Sequence, residues 1–218
     1  MFLKGFIGSY TEYPLPGFGG IGEGIYSFQI NTNTGELKKL RTKKVRNPSY
    51  LALSRDKQYL YSVAELDQSE LPTMKAYNIH ADYSLEFLNE QPILGGFPCY
   101  IVAHGKSVLV ACYATGNVIQ FSLDTDGSLL RAKHNFTHKG SSIDKIRQEG
   151  PHAHHIAIVP NSKEIYSCDL GIDMIKAYAY ESNELIPNPR KDCSVKKGNG
   201  PRHMIFNNDG SLGYVINE

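Results

Sequence analysis

The chain has 218 residues, of which 41% are hydrophobic and 21% charged, and its formal net charge is +1. These values are typical of a globular protein with a sizeable core, and the near-neutral charge gives no reason to expect nucleic acid or an anionic membrane as a partner. No apolar run approaches the roughly 20 residues of a membrane span, and the first residues lack the long apolar region of a signal peptide. The four cysteines form no CxxC pair, which disfavours a disulfide framework or a zinc knuckle and favours a cytoplasmic location.

The first 46 residues predict strands at 2–10 and 24–30, followed by a hairpin over 31–37. Between the two strands lies a segment with glycines at positions 17, 19, 20, 22 and 24. Such spacing superficially suggests a phosphate-binding loop. No helix follows to present its N-terminus, however, so dinucleotide binding is not predicted.

From residue 47 onward the sequence repeats. Pro48, Pro98, Pro151 and Pro201 are separated by 50, 53 and 50 residues, and each is followed by a turn and then a short apolar strand. Further strands with alternating apolar residues are predicted at Thr73–Ile79, Asn117–Leu123 and Met174–Tyr180. A hairpin and a fourth strand complete each unit, most clearly around residues 124–129.

Four short strands in about 50 residues are the signature of a β-propeller blade. The sequence therefore predicts an all-β fold, a single partial β-propeller over residues 1–218 built from four-stranded antiparallel blades. The approximate units are 1–46, 47–96, 97–149, 150–199 and an incomplete 200–218, which is about four and a half blades. Because an open ring leaves unpaired strand edges, we expect further blades to follow residue 218, or a second chain to supply them.

Several segments resemble one known family. Arg147–His154 reads RQEGPHAH and is similar to the RQ-x-x-PHAH signature of the seven-bladed, 6-phosphogluconolactonase-like propeller lactonases. The segments 8–11, 47–65 and 200–218 resemble the same family, so the likeness covers the whole chain. It implies a cleft on one propeller face, lined by His154, Arg202 and Glu218 as catalytic residues. Arg147, Gln148 and His152 belong to the same signature and are expected to bind substrate at its border.

The residues themselves leave other roles open for these side chains. Strand alternation places His152 and His154 on one face and His155 on the other, and it turns His203 away from Arg202. The two same-face histidines could be donors, a base, metal ligands or structural groups, but no third ligand at a telling spacing supports a metal site. By their spacing from the prolines, Glu65 and Asp169 are the expected counterparts of Glu218, and such acids could equally cap loop amides.

The resemblance implies hydrolysis of a sugar lactone, above all 6-phosphogluconolactone in the pentose phosphate pathway, with a phosphorylated sugar lactone as the only partner. No cofactor and no metal are expected. A lactonizing cycloisomerase of the carboxy-muconate type would use the same cationic cleft to hold carboxylates. A propeller without catalytic activity that serves as a binding scaffold is the remaining alternative.

Overall fold

The computed structural model describes residues 1–218, and strands make up nearly all of the regular structure. The strands are β1 (Phe2–Gly8), β2 (Gly24–Asn31), β3 (Leu37–Lys44), β4 (Leu51–Leu53), β5 (Tyr59–Val63), β6 (Thr73–Ile79), β7 (Leu85–Pro92), β8 (Pro98–His104), β9 (Ser107–Cys112), β10 (Asn117–Leu123), β11 (Leu129–Thr137), β12 (Ala153–Ile158), β13 (Glu164–Asp169), β14 (Met174–Glu181), β15 (Glu184–Pro187), β16 (Cys193–Ser194), β17 (Pro201–Phe206) and β18 (Gly213–Asn217). The helices are three short 3-10 turns at Gln68–Glu70, Leu170–Ile172 and Pro189–Lys191. The all-β prediction is confirmed.

None of these helices has the length and apolar character needed to cross a lipid bilayer.

The strands form five antiparallel sheets that follow one another along the chain. They are β1–β3, β4–β7, β8–β11, β12–β15 with β16 beside β14, and β17–β18. Within each sheet, consecutive strands are neighbours, as expected for short hairpin connections. The first strands of successive sheets also lie side by side, β4 against β8, β8 against β12 and β12 against β17. Sheets arranged around adjacent first strands have the architecture of propeller blades.

The apolar core lies between neighbouring sheets. In β9 all six residues are buried, because this strand is covered on both faces. Val110 packs into a cluster shared with the β4–β7 sheet, and Ala111 into a cluster shared with the β12–β15 sheet. Successive side chains of a strand point to opposite faces, so a strand between two cores needs a continuous apolar run. This requirement explains the sequence Val108-Leu109-Val110-Ala111.

One irregularity recurs at the same place in three sheets. Pro98 and Tyr100 oppose Cys112 and Ala111, so Cys99 is an extra residue between two pairs. The register shifts in the same way around His154 and around Arg202. A β-bulge of this kind adds one residue to a strand and re-aims its side chain. We call Cys99, His154 and Arg202 the bulge residues.

A second set of equivalent positions follows the second strand of each sheet. We call these positions the rim residues; they are Glu65, Tyr113, Leu170 and Glu218. Each donates its backbone N–H to the carbonyl group of a residue at the start of its own sheet, in the same order Asn47 (3.0 Å), Phe97 (2.9 Å), His152 (3.2 Å) and Gly200 (2.9 Å). Since bulge and rim residues recur in register, they converge at one end of the first strands.

Candidate active site

A cavity of about 710 Å³ lies where the bulge and rim residues converge. It is lined by Tyr10, Leu15, Phe18, Ser49, Tyr50, Glu65, Phe97, Cys99, Tyr113, Ala114, Arg147, Glu149, His152, His154, Arg202, His203 and Glu218. All three bulge residues and three of the four rim residues are in this set. The repeated backbone irregularity therefore builds the cavity wall.

His154, Arg202 and Glu218 form a contiguous polar network in the cavity. The Arg202 Nε–H donates to His154 Nε2 at 3.0 Å, and the same nitrogen lies 3.1 Å from Glu218 Oε2. The other oxygen of Glu218 forms an ion pair with Arg147 Nη2. One carboxylate thus stands between two guanidinium groups, and the structure brings together four residues that are up to 71 positions apart in sequence.

His154 is a hydrogen-bond acceptor in this network. Burial, together with the nearby Arg202 and His203, lowers its pKa to about 3. The imidazole is therefore neutral at physiological pH, with the proton on Nδ1 because Nε2 accepts from Arg202. The Nδ1 atom is buried without a hydrogen-bond partner. A group that protonates with such difficulty is a weak base, so its place beside Arg202 suits it to orient the guanidinium.

Arg147 and His152 lie along the wall formed by Tyr113. The Arg147 guanidinium lies 5.9 Å from the centre of the Tyr113 ring, and the His152 ring stacks on that ring at 4.4 Å. His152 is also held by its Nδ1, 2.9 Å from the Tyr113 carbonyl oxygen, while Nε2 lies 3.2 Å from Glu149 Oε1. The Arg147 side chain lies against this wall and is half-exposed in the cavity, where its guanidinium can bind an anionic group.

Gln148 is not part of the cavity lining, contrary to the expectation that it borders the cleft. Its side chain is buried, donates to the Leu170 carbonyl at 2.8 Å and accepts from the backbone N–H of Asp144 at 3.2 Å. Both partners belong to the backbone, so Gln148 fixes the loop that carries Arg147. Its adjacency to Arg147 in the sequence motif gave no information on which way its side chain points.

Two further expectations from the sequence are wrong. His203 was expected to face away from Arg202, but both side chains line the cavity. Asp169 is not a counterpart of Glu218: it pairs with Ala153, as Asn217 pairs with Pro201. The buried Asp169 carboxylate instead accepts from the His152 N–H at 2.7 Å and lies 2.6 Å from His138 Nδ1.

The glycine-rich segment forms the apolar wall of the cavity, a role that the sequence analysis missed. Backbone bonds from Gly22 to Tyr10 (2.7 Å), Gly20 to Glu12 (3.1 Å) and Phe18 to Leu15 (3.0 Å) fold it into a narrow hairpin. The Phe18 ring packs edge-on against Tyr10 at 5.1 Å. Leu15 and Phe18 stay about half-exposed and face the cavity. Leu15 and Phe18, apolar residues within a glycine-rich segment, were the available sequence signal for this wall.

No group of three or more His, Cys, Asp or Glu side chains is placed to hold a metal ion.

Comparisons with known proteins agree with this architecture. The family model described as "Lactonase, 7-bladed beta-propeller" matches residues 4–218. A 6-phosphogluconolactonase of Bacillus subtilis is 33% identical over 218 residues, which is 98% of this chain and 59% of the relative.

Two solved structures are similar along the whole chain. A candidate 6-phosphogluconolactonase of Bacteroides fragilis has a TM-score of 0.92 at 36% identity, and 61% of its chain is covered. The periplasmic gluconolactonase of Pseudomonas aeruginosa has a TM-score of 0.90 at 26% identity, with 62% covered. The chain thus spans about three fifths of the length of the relatives it matches. The resemblance found in the sequence is confirmed, and the chain belongs to the lactonase family of seven-bladed β-propellers.

Proposed function

We propose that the protein hydrolyses a sugar lactone, and that 6-phosphogluconolactone is its substrate. The observation that carries the proposal is the cavity in which Glu218 stands between Arg147 and Arg202, with a neutral His154 behind Arg202. Relatives named 6-phosphogluconolactonase and gluconolactonase support the reaction class.

Lactone hydrolysis needs a base for water, donors for the carbonyl oxyanion and a site for the rest of the substrate. In the proposed mechanism Glu218 accepts a proton from the attacking water. Arg202, oriented by His154, donates to the oxyanion of the tetrahedral intermediate. Arg147 binds the phosphate, for which a planar guanidinium is well suited. His152 borders this phosphate position and keeps the Tyr113 wall in place.

The test is hydrolysis of 6-phosphogluconolactone by the complete protein, with the spontaneous rate subtracted. Removing a general base costs about 100-fold to 10,000-fold in rate. We therefore expect Glu218→Gln to lower kcat by at least about 100-fold. The thermal midpoint should change little, because exposed ion pairs contribute about 1 kcal/mol or less each.

Glu181→Gln, which changes an exposed carboxylate at the end of β14, is the control and should keep full activity. Unchanged turnover in Glu218→Gln would remove this residue from the mechanism. Failure of the wild-type protein to accelerate any lactone opening would favour the binding scaffold, and turnover of a carboxy-muconate alone would favour the cycloisomerase.

We further propose a cytoplasmic location. The four cysteines are free thiols, as is usual in a reducing compartment. Since one similar structure is a periplasmic enzyme, cell fractionation is the direct test; recovery of the protein in a periplasmic extract would overturn this part of the proposal.

A further inference from the structure

Two glutamates occupy the same rim position in different blades, but their surroundings differ. Glu65 and Glu218 both donate their backbone N–H to the first strand of their own sheet, and both side chains line the cavity. Glu218 is about one third exposed and forms ion pairs with two arginines. Glu65 is only 6% exposed and has no Lys, Arg or His within ion-pair distance. The cavity therefore holds one carboxyl group in a cationic environment and one in a neutral, buried environment.

The groups that face Glu65 are neutral. The Tyr10 hydroxyl, from the segment after β1, donates to Glu65 Oε2 at 2.7 Å. The Cys99 thiol on β8 is the other titratable neighbour, and burial keeps the pKa of this thiol well above its usual value. Burial raises the pKa of Glu65 above its ordinary value, and the nearby Ser49 hydroxyl and the hydrogen bond from Tyr10 oppose part of this rise.

A purely structural Glu65 would be expected to accept hydrogen bonds from loop amides, but Asn47 accepts those hydrogen bonds instead. The side-chain Oδ1 of Asn47 accepts from the backbone N–H groups of Thr11 and Glu12, at 2.9 and 3.2 Å. The Glu65 side chain bonds the Tyr10 phenol and no backbone amide. The Glu65 carboxyl group thus lies at the cavity wall and makes no hydrogen bond to a nearby backbone amide.

Pairs of carboxyl groups in one site whose environments differ in this way take opposite roles as acid and base. We propose that Glu65 is the proton donor to the ring oxygen of the lactone as that oxygen departs. The assignment rests on the proposed lactonase function.

The proton balance of the reaction is complete with these two residues. Water adds to the carbonyl carbon and gives one proton to Glu218, forming the tetrahedral intermediate. The bond between the carbonyl carbon and the ring oxygen then breaks, and the Glu65 proton goes to that oxygen to form the hydroxyl of the acid product. Glu218 returns its proton to solvent and Glu65 recovers one from solvent, so that lactone and water give the hydroxy acid.

The first experiment is the pH dependence of kcat for 6-phosphogluconolactone in the complete protein. Because Glu65 must be protonated to donate, wild-type kcat should fall as the pH rises through the pKa of Glu65. Glu65→Gln should lower kcat by at least about 100-fold at its optimum and lose this alkaline limb. Tyr10→Phe removes a hydrogen bond that favours the carboxylate, so its alkaline limb should move to higher pH. The control Glu70→Gln, an exposed carboxylate that pairs with Arg46, should leave the profile unchanged.

An alkaline limb that persists in Glu65→Gln, or a Tyr10→Phe limb that moves to lower pH, would overturn the assignment. Infrared difference spectra of wild type minus Glu65→Gln separate this failure from failure of the proposed function, since they require no turnover. A protonated-carboxyl band between pH 5 and pH 7 that disappears in the variant supports Glu65 even if another lactone proves to be the substrate. Absence of that band at every pH above 5 would overturn the proposal.

Discussion

At the scale of single residues, three histidines share one patch beside the cavity. The His203 ring centre lies 5.0 Å from that of His154 and 4.7 Å from that of His155. Burial, with help from neighbouring cations, lowers the pKa of His154 to about 3, that of His155 to about 4, and also that of His203. All three side chains are thus neutral in the folded protein near pH 7, which makes the folded state sensitive to acid.

The sign of this effect follows from the direction of the shifts. An unfolded histidine titrates near pH 6.5, so it binds a proton before the folded side chain does. Stability that depends on the neutral imidazole is present above about pH 6.5 and is lost as the pH falls toward the folded pKa. We expect the thermal midpoint of the complete protein to decrease between pH 7 and pH 4.5.

His155→Phe should make that decrease shallower. His155 packs on the Tyr100 ring at 4.1 Å, and its buried Nδ1 has no partner, so an apolar ring of similar shape costs little at pH 7. Thermal melts of both proteins at pH 7 and pH 4.5 make the comparison. An identical pH slope for the variant would mean that His155 does not contribute to acid sensitivity.

At the scale of the element, the hairpin over residues 11–23 depends on backbone shapes that only glycine adopts easily. Gly19 has φ of 140°, and a Cβ there would lie 2.3 Å from the Glu12 carbonyl oxygen. Gly17 has φ of 75°, but a Cβ there would meet no atom within 4 Å. Alanine at position 17 would therefore meet only an unfavourable backbone conformation, whereas alanine at position 19 would also meet a steric clash.

Gly19→Ala should displace the adjacent Phe18 from the cavity wall and raise KM for the lactone about tenfold or more, with a smaller effect on kcat. Gly17→Ala carries only the left-handed backbone cost of about 1–2 kcal/mol in a solvent-exposed turn and should change KM less than about twofold. Steady-state kinetics on both variants are the measurement. Equal KM values for Gly19→Ala and wild type would show that the hairpin does not shape the substrate site.

At the scale of the whole molecule, neighbouring blades are stabilised by shared cores. One cluster joins Tyr61 and Met74 of the β4–β7 sheet to Val110 and Phe121 of the β8–β11 sheet. The Tyr61 hydroxyl also donates to the Gly127 carbonyl of the next blade at 3.1 Å. Since each blade buries its faces only against its neighbours, the loss of contact in one core weakens two sheets at once.

Phe121→Ala should lower the free energy of unfolding by about 3–5 kcal/mol, because it empties a fully buried position between two sheets. Phe87→Ala on β7 is the matched control: its ring is 47% exposed, and we expect about 1 kcal/mol. Urea unfolding followed by circular dichroism measures both. Similar losses in the two variants would contradict the importance of the interblade core.

The positions of the strands could be predicted from the sequence because they depend on local patterns. Thr73–Ile79 and Asn117–Leu123 are strands with the predicted bounds, since alternating apolar residues between turns are sufficient to define them. The spacing of Pro98, Pro151 and Pro201 likewise indicated the repeated unit. The resemblance to the lactonase family implied His154, Arg202 and Glu218 as site residues, and the structure brings these three side chains together.

Only the tertiary structure decided which other side chains reach the cavity. His203 lines the site beside Arg202, while the loop geometry turns Gln148 into the protein. The contact between Tyr10 and Glu65 joins residues 55 positions apart in neighbouring sheets. Local patterns specify strands because side chains alternate along a chain, whereas the electrostatic environment of a carboxyl group depends on neighbours that only the packing of blades supplies.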